Sequence, residues 1–268
     1  MSYSFDTRPL GPALGAEILG LDISKPLDDK TIQNHCDAWR DNIILLFNKP
    51  DMSQEEKLRF ATCFGKLGER PRPKEAQPED YRKPDSTFML VTNIRENSKP
   101  IGTLPDGEMM FHHDTIYKPR PHIGTLLYAI QVLSVGGNTK FTDLYKAYDA
   151  LPDDIKKKIE GRKALYVNRL MTAEIDGLGP DEREEILNQM FDVVERPEHV
   201  YEHVWTPGDL LLWDNFWSSH ARTDFSDGEV RLLRRCQVEA ESAPAAYLAS
   251  DCRRLGFPSE NFPYIIGL

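Results

Sequence analysis

The sequence predicts a mainly β fold with flanking helices (α+β), and three observations carry that expectation. From residue 109 onward, short apolar stretches recur between turn signals, the pattern of a sandwich or barrel. Helical spacing is confined to a few segments that flank or interrupt them. The chain has 268 residues with 40% hydrophobic content, enough for a sizeable core in one large domain or two ordinary ones.

Gly15 to Ser24 mixes apolar residues with turn formers and reads as a short strand or two leading into Lys25-Pro26. Ile32, Cys36 and Trp39 then recur at helical spacing, with Asp28 or Asp29 near the helix N-terminus. Ile43 to Phe47 is an apolar run suited to a buried strand. Ser53 followed by Glu56 is a capping box that opens a helix through Phe60 and Cys63, ended by Gly65. Arg70 to Ser86, rich in proline and charge, is a loop; Phe88 to Thr92 is a strand, and Asn93 to Glu108 a second long loop.

The later strands are Met109 to Asp114, Thr125 to Gln131, Asn138 to Asp143 after the Gly136-Gly137 turn, and Ala164 to Asn168. His203 to Trp205, Leu210 to Trp213 and Val230 to Glu239 follow. Helices over Leu151 to Glu160 and Pro180 to Phe191 interrupt them, the second opening on Pro and acidic residues as helix N-termini do.

The formal net charge of −10 and pI near 5.3 argue against nucleic acid or an anionic membrane surface as the main partner. A bound anion must then be met by a local cluster of Arg. No run of 18 apolar residues and no basic-then-apolar leader occurs, so a cytoplasmic protein is expected. Cys36, Cys63, Cys236 and Cys252 are far apart and form no CxxC pair, which reads as reduced thiols.

Chemistry concentrates at Phe111-His112-His113-Asp114. On a strand, side chains two apart share a face, so His112 and Asp114 would converge while His113 points away. A second His would complete a two-His, one-carboxylate triad for a divalent metal, with the opposite side open to reactants. His122, His199, His203 and His220 could supply it, and His220 is favoured because it follows the strand Leu210 to Asp214. Beyond it, the strand from Val230 places Arg231, Leu233 and Arg235 on one face. Buried guanidinium groups need anions. At about 13 Å apart, the two Arg would hold two acidic ligands or the two ends of one site.

These motifs, in this order, resemble the Fe(II)/2-oxoglutarate dioxygenases of the taurine and 2,4-dichlorophenoxyacetate dioxygenase (TauD/TfdA) type. The resemblance runs through Gly15 to Asp22, Phe60 to Leu67, His112-x-Asp114, Gly136 to Thr139, Ala147 to Pro152, Gly208 to Asn215, His220, and Arg231 to Arg235. It implies a single domain over 1–268 with a double-stranded β-helix (jelly-roll, cupin-like) core. It also implies Fe(II) on His112, Asp114 and His220, with 2-oxoglutarate and O2 as cosubstrates. Thr139 and Arg231 would hold the far carboxylate of 2-oxoglutarate, with Trp213 beside it. Arg235 would reach the acid group of a small organic acid substrate, its structural alternative being to complete a salt-bridge network.

The implied outcome is hydroxylation, or bond cleavage where a heteroatom adjoins, coupled to decarboxylation of 2-oxoglutarate to succinate. A homo-oligomer, dimer or tetramer, is also implied. A cupin-like Zn or Mn hydrolase or lyase on the same triad is the rival, and a β-sandwich binding module without catalysis predicts that the triad does not converge. The family pattern is broken at two places. Gly68-Glu69-Arg70 and Glu108 replace a His and an Asn of the taurine enzymes, which makes Glu108 a candidate substrate contact. Between Glu160 and Arg162 the strand and longer loop that the resemblance implies are missing.

Overall fold

The computed structural model describes residues 4–48, 50–68, 88–102, 107–115, 122–159, 167–173, 175, 177–226 and 228–239. The expected loop over Arg70 to Ser86, most of the expected strand Ala164 to Asn168, the Glu160 to Arg162 junction and Cys252 lie outside them.

Local chemistry explains the front of the chain. Strands β1 (Asp6–Pro9) and β2 (Ala16–Leu19) form an antiparallel pair, of which β1 was not expected. Asp28 caps α1 (Asp29–Asn42) by accepting from Thr31 N, and β3 (Ile44–Phe47) then pairs parallel to β2. Ser53 and Glu56 form the expected capping box of α2 (Gln54–Thr62). β4 (Met89–Thr92) follows. Part of the expected loop after it is a small hairpin, β5 (Arg95–Glu96) with β6 (Lys99–Pro100), turning through Asn97 and Ser98 at positive φ.

β7 (Met109–His112), β8 (His122–Gln131) and β9 (Thr139–Asp143) come next. After them lie α3 (Leu144–Asp149), α4 (Asp153–Ile159) and α5 (Pro180–Val194). Here α3 was not expected. The chain continues through β10 (Val200–His203), β11 (Leu210–Asp214), β12 (Ser218–Arg222) and β13 (Leu232–Glu239). Three expectations need correction: β7 stops at His112, β10 lies ahead of its expected span, and β12 had no counterpart.

The strands form a seven-stranded sheet, β1-β2-β3-β11-β8-β13-β4, and a four-stranded sheet, β10-β9-β12-β7. Period-two alternation divides the large sheet's side chains between two layers. Leu45, Phe47, Leu210, Leu212, Leu126 and Val238 pack with α1 and α2 residues such as Trp39 and Phe60. Ile44, Leu46, Leu211, Trp213, Leu127 and Leu233 pack with Phe141 of the small sheet. Helices α3 to α5 form a third apolar cluster around Ile155, Ile186 and Met190. The protein is therefore mostly β-sheet with few helices, and the space between its two sheets is where the site forms. Cys36, Cys63 and Cys236 are free thiols, as expected.

Candidate metal centre

His112 and His220 are direct partners in the antiparallel register of β7 and β12, which places their rings on one face with centroids 4.2 Å apart. Asp114 joins them by a different route from the expected one. It lies beyond the end of β7, in a turn whose next residue, Thr115, has φ 58°. The turn, not strand alternation, brings the carboxylate round.

One ligand atom from each of His112, Asp114 and His220 lies within 4.8 Å of the others, and all three residues are buried. The donor set suits a divalent metal. His112 Nδ1 lies 2.9 Å from the carbonyl of Met110, which places the proton on Nδ1 and leaves the Nε2 lone pair for a metal ion. His220 Nδ1 is buried with no hydrogen-bond partner among the described residues. His113 is turned away and fully buried, its Nδ1 3.0 Å from Asn168 Nδ2.

Burial pushes His220 well below the ordinary imidazole range and lowers His112 too, so both are neutral, as metal ligands must be. Burial alone would raise Asp114. The Arg235 guanidinium instead holds it well below the usual carboxylate range. Arg235 Nη1 reaches both carboxylate oxygens, at 3.1 and 3.2 Å. This is the salt-bridge role that the sequence left open for Arg235.

Four of the seven buried histidines make an expected result for the metal-free protein. Burial lowers His35, His112 and His220, and brings His113 down to about 3. Above about pH 6.5 the folded and unfolded states are both neutral at these sites. Below it the unfolded chain takes up protons that the folded chain refuses. Stability therefore falls with pH by about 1.4 kcal/mol per unit for each histidine still neutral in the fold. Urea unfolding of metal-free protein between pH 7 and 5 should show this steep loss, and a flat profile there would contradict the assigned burial.

A cavity of about 240 Å³ opens beside the triad, lined by residues of both sheets. Thr139, Trp213, Arg231 and Arg235 all face it, so four of the five expected binding residues are brought to one space. Trp205 Nε1 donates to Thr139 Oγ1 at 2.9 Å, leaving the hydroxyl proton free to be donated in turn. Trp213 is buried, its ring centroid 5.1 Å from that of His220.

Arg231 lies one residue before β13, its backbone N held by Asn93 Oδ1 at 3.0 Å. The residue is 3% exposed, and Nη1 has no partner among the described residues. Burial, with Arg222 beside it, pushes Arg231 down to about 9. Met89, Val91, Met109 and Leu127 supply an apolar wall. Glu108 is exposed and does not line the cavity, in contrast to its expected contact. Sequence reasoning missed Arg222, two positions after His220 and on the same face of β12.

A family model described as "Taurine catabolism dioxygenase TauD, TfdA family" matches residues 6–162 and 158–237. Its two pieces meet at the junction where the sequence is short. Pentalenolactone F synthase of Streptomyces avermitilis is 29% identical, with 88% of this chain and 94% of that protein covered. The (S)-phenoxypropionate/alpha-ketoglutarate-dioxygenase of Sphingobium herbicidovorans is 28% identical over 297 aligned residues, covering 93% of this chain and 100% of that protein. That alignment is longer than this chain, so the relative carries residues absent here. Among solved structures, a taurine dioxygenase from Burkholderia xenovorans shares the fold, with a TM-score of 0.73 at 21% identity over 88% of this chain and 89% of that one.

Proposed function

The chain belongs to the TauD, TfdA family of dioxygenases, and from that premise we propose that His112, Asp114 and His220 hold Fe(II) for the hydroxylation of a small organic acid. The enzyme is an oxidoreductase that uses Fe(II), 2-oxoglutarate and O2. The observation that carries the site assignment is the convergence of two imidazoles and one carboxylate, a set suited to non-haem Fe(II) with open positions. On this reading the two facing sheets are the halves of a double-stranded β-helix, in one domain over 1–268.

Bound Fe(II) supplies the O2 chemistry, in which 2-oxoglutarate becomes succinate and CO2 while one oxygen atom enters a C–H bond. Hydroxylation beside a heteroatom then collapses to cleavage. The protein's own groups bind and orient. Arg231 meets the far carboxylate of 2-oxoglutarate at the buried end of the cavity, and Thr139 donates its remaining hydroxyl proton to the same group. Trp213 closes the space beside the cosubstrate and keeps water from it.

The apolar wall of Met89, Val91, Met109 and Leu127 fits a substrate with an apolar body, the methionines adapting to its shape. Relatives named for phenoxypropionate and 2,4-dichlorophenoxyacetate support a carboxylic acid of that kind. Arg235 keeps Nε without a partner among the described residues and remains the contact for the substrate's acid group. The reading retains a cytoplasmic dimer or tetramer with no nucleic-acid or membrane partner. Among the described residues no helix is long and apolar enough to cross a membrane.

A Zn or Mn hydrolase would need no carboxylate clamp such as Arg231 opposite the metal. The test is succinate formation from 2-oxoglutarate with Fe(II), ascorbate and O2, over phenoxyalkanoates, sulfonates and other acids. Succinate formation, raised by the true substrate, is expected; no turnover of any kind by well-metallated protein would overturn the reading.

A further inference from the structure

The two oxygens of Asp114 are not equivalent. Among the described residues, Oδ1 meets only Arg235 Nη1, at 3.1 Å. Oδ2 meets three donors: Arg235 Nη1 at 3.2 Å, Gln237 Nε2 at 3.1 Å and Thr125 Oγ1 at 3.3 Å. Gln237 and Thr125 are direct partners in the register of β13 and β8, so their side chains rise from one face toward the same oxygen. Both are buried.

Asn215 supports the Thr125 hydroxyl. Its Nδ2 donates to Thr125 Oγ1 at 3.0 Å and to the carbonyl of His122 at 3.2 Å. Asn215 Oδ1 also lies 3.3 Å from Thr125 Oγ1. A hydroxyl has one proton to give; its oxygen accepts from the Asn215 amide, and of its two acceptors, Asn215 Oδ1 and Asp114 Oδ2, both at 3.3 Å, the ionised carboxylate is the stronger and takes that proton. Asn215 closes the stretch Gly208 to Asn215, in which the binding and metal assignments use only Trp213.

We infer that Thr125 and Gln237, with Asn215 behind Thr125, are positioning residues that hold Asp114 Oδ2 away from the metal and leave Oδ1 as its single ligand atom. A carboxylate held in this way takes one coordination position instead of two. The position it spares is the one a chelating 2-oxoacid needs. The inference rests on the reading of Asp114 as a metal ligand.

The test uses Thr125→Val and Gln237→Leu, singly and combined, with Thr125→Ser as the conservative variant. Fe(II) and Co(II) affinities are measured by anaerobic titration. 2-Oxoglutarate affinity is then read from the visible charge-transfer absorbance of the Fe(II)-loaded protein under argon, so no turnover is needed. In the combined variant, 2-oxoglutarate affinity should fall by about tenfold or more, a loss as large as the one in activity when residues behind metal ligands are removed. Metal affinity should hold, because the freed Oδ2 can also bind the ion, and Thr125→Ser should restore wild-type behaviour. Unchanged 2-oxoglutarate affinity overturns the inference. So does a joint fall of metal and 2-oxoglutarate affinity with a lowered urea midpoint, which would mark a role in the fold alone. Wild-type protein that binds neither Fe(II) nor 2-oxoglutarate would overturn the functional reading itself, a result visible before any variant is made.

Discussion

Asp114→Ala is expected to abolish metal binding and succinate formation together, and to destabilise the fold as well. A bound metal stabilises a transition state by several kcal/mol, and each 1.36 kcal/mol is tenfold in rate, so the loss should be on the order of a thousandfold or more. The cost to the fold has a separate cause. Arg235 is paired with Asp114 between the sheets, its side chain 19% exposed. Removing the carboxylate leaves that guanidinium, and the Gln237 amide, facing a gap. Breaking a buried pair from one side costs about 3–5 kcal/mol, and the partial exposure of Arg235 puts the loss toward about 3 kcal/mol. Asp114→Asn separates the two effects, since an amide oxygen still accepts from Arg235 while the anionic ligand is gone. Metal titration should fail for both variants, whereas the urea midpoint should fall mainly for alanine. Retention of metal affinity by Asp114→Ala would remove this residue from the ligand set.

What was legible in the sequence is what depends on neighbours along the chain. Asp28 and Ser53 cap their helices with donors three residues away, and residue type with spacing reveals that directly. The continuous apolar runs of β3 and β11 were legible because both of their faces are buried. β12 was not, although it carries His220. Ser-Ser-His-Ala-Arg has neither β-branched residues nor apolar alternation, yet all five are buried because β9 and β7 flank it on both edges. Its strand character comes from those partners.

Asp114 shows the same limit from the other side. The sequence pointed to the right residue through strand alternation, but the backbone leaves the strand at His112 and a turn does the work. The Thr125, Asn215 and Gln237 group could not be found at all from spacing. Its members are brought together by register across β8, β11 and β13, and polar residues in such runs look like ordinary interruptions.

Arg231→Ala is expected to weaken 2-oxoglutarate binding by about 25-fold or more without loss of metal affinity or of folding. Truncating one side of a buried hydrogen-bonded charge pair costs about 2–5 kcal/mol, and 1.4 kcal/mol is tenfold. The metal should be unaffected, because Arg231 stands about 13 Å along the strand from Arg235, the residue that touches Asp114. The fold should gain. Without an anion in the cavity, Arg231 keeps a charge out of water beside Arg222, with Nη1 unmatched among the described residues. Its truncation removes that burden, while the backbone bond to Asn93 does not depend on the side chain. The metal-loaded variant should therefore unfold at a higher midpoint than metal-loaded wild type when 2-oxoglutarate is absent. Saturating 2-oxoglutarate should reverse the order, since a ligand stabilises only the protein that binds it. A variant less stable than wild type in both conditions would assign Arg231 to the fold; the crossing of the two midpoints assigns it to the cosubstrate.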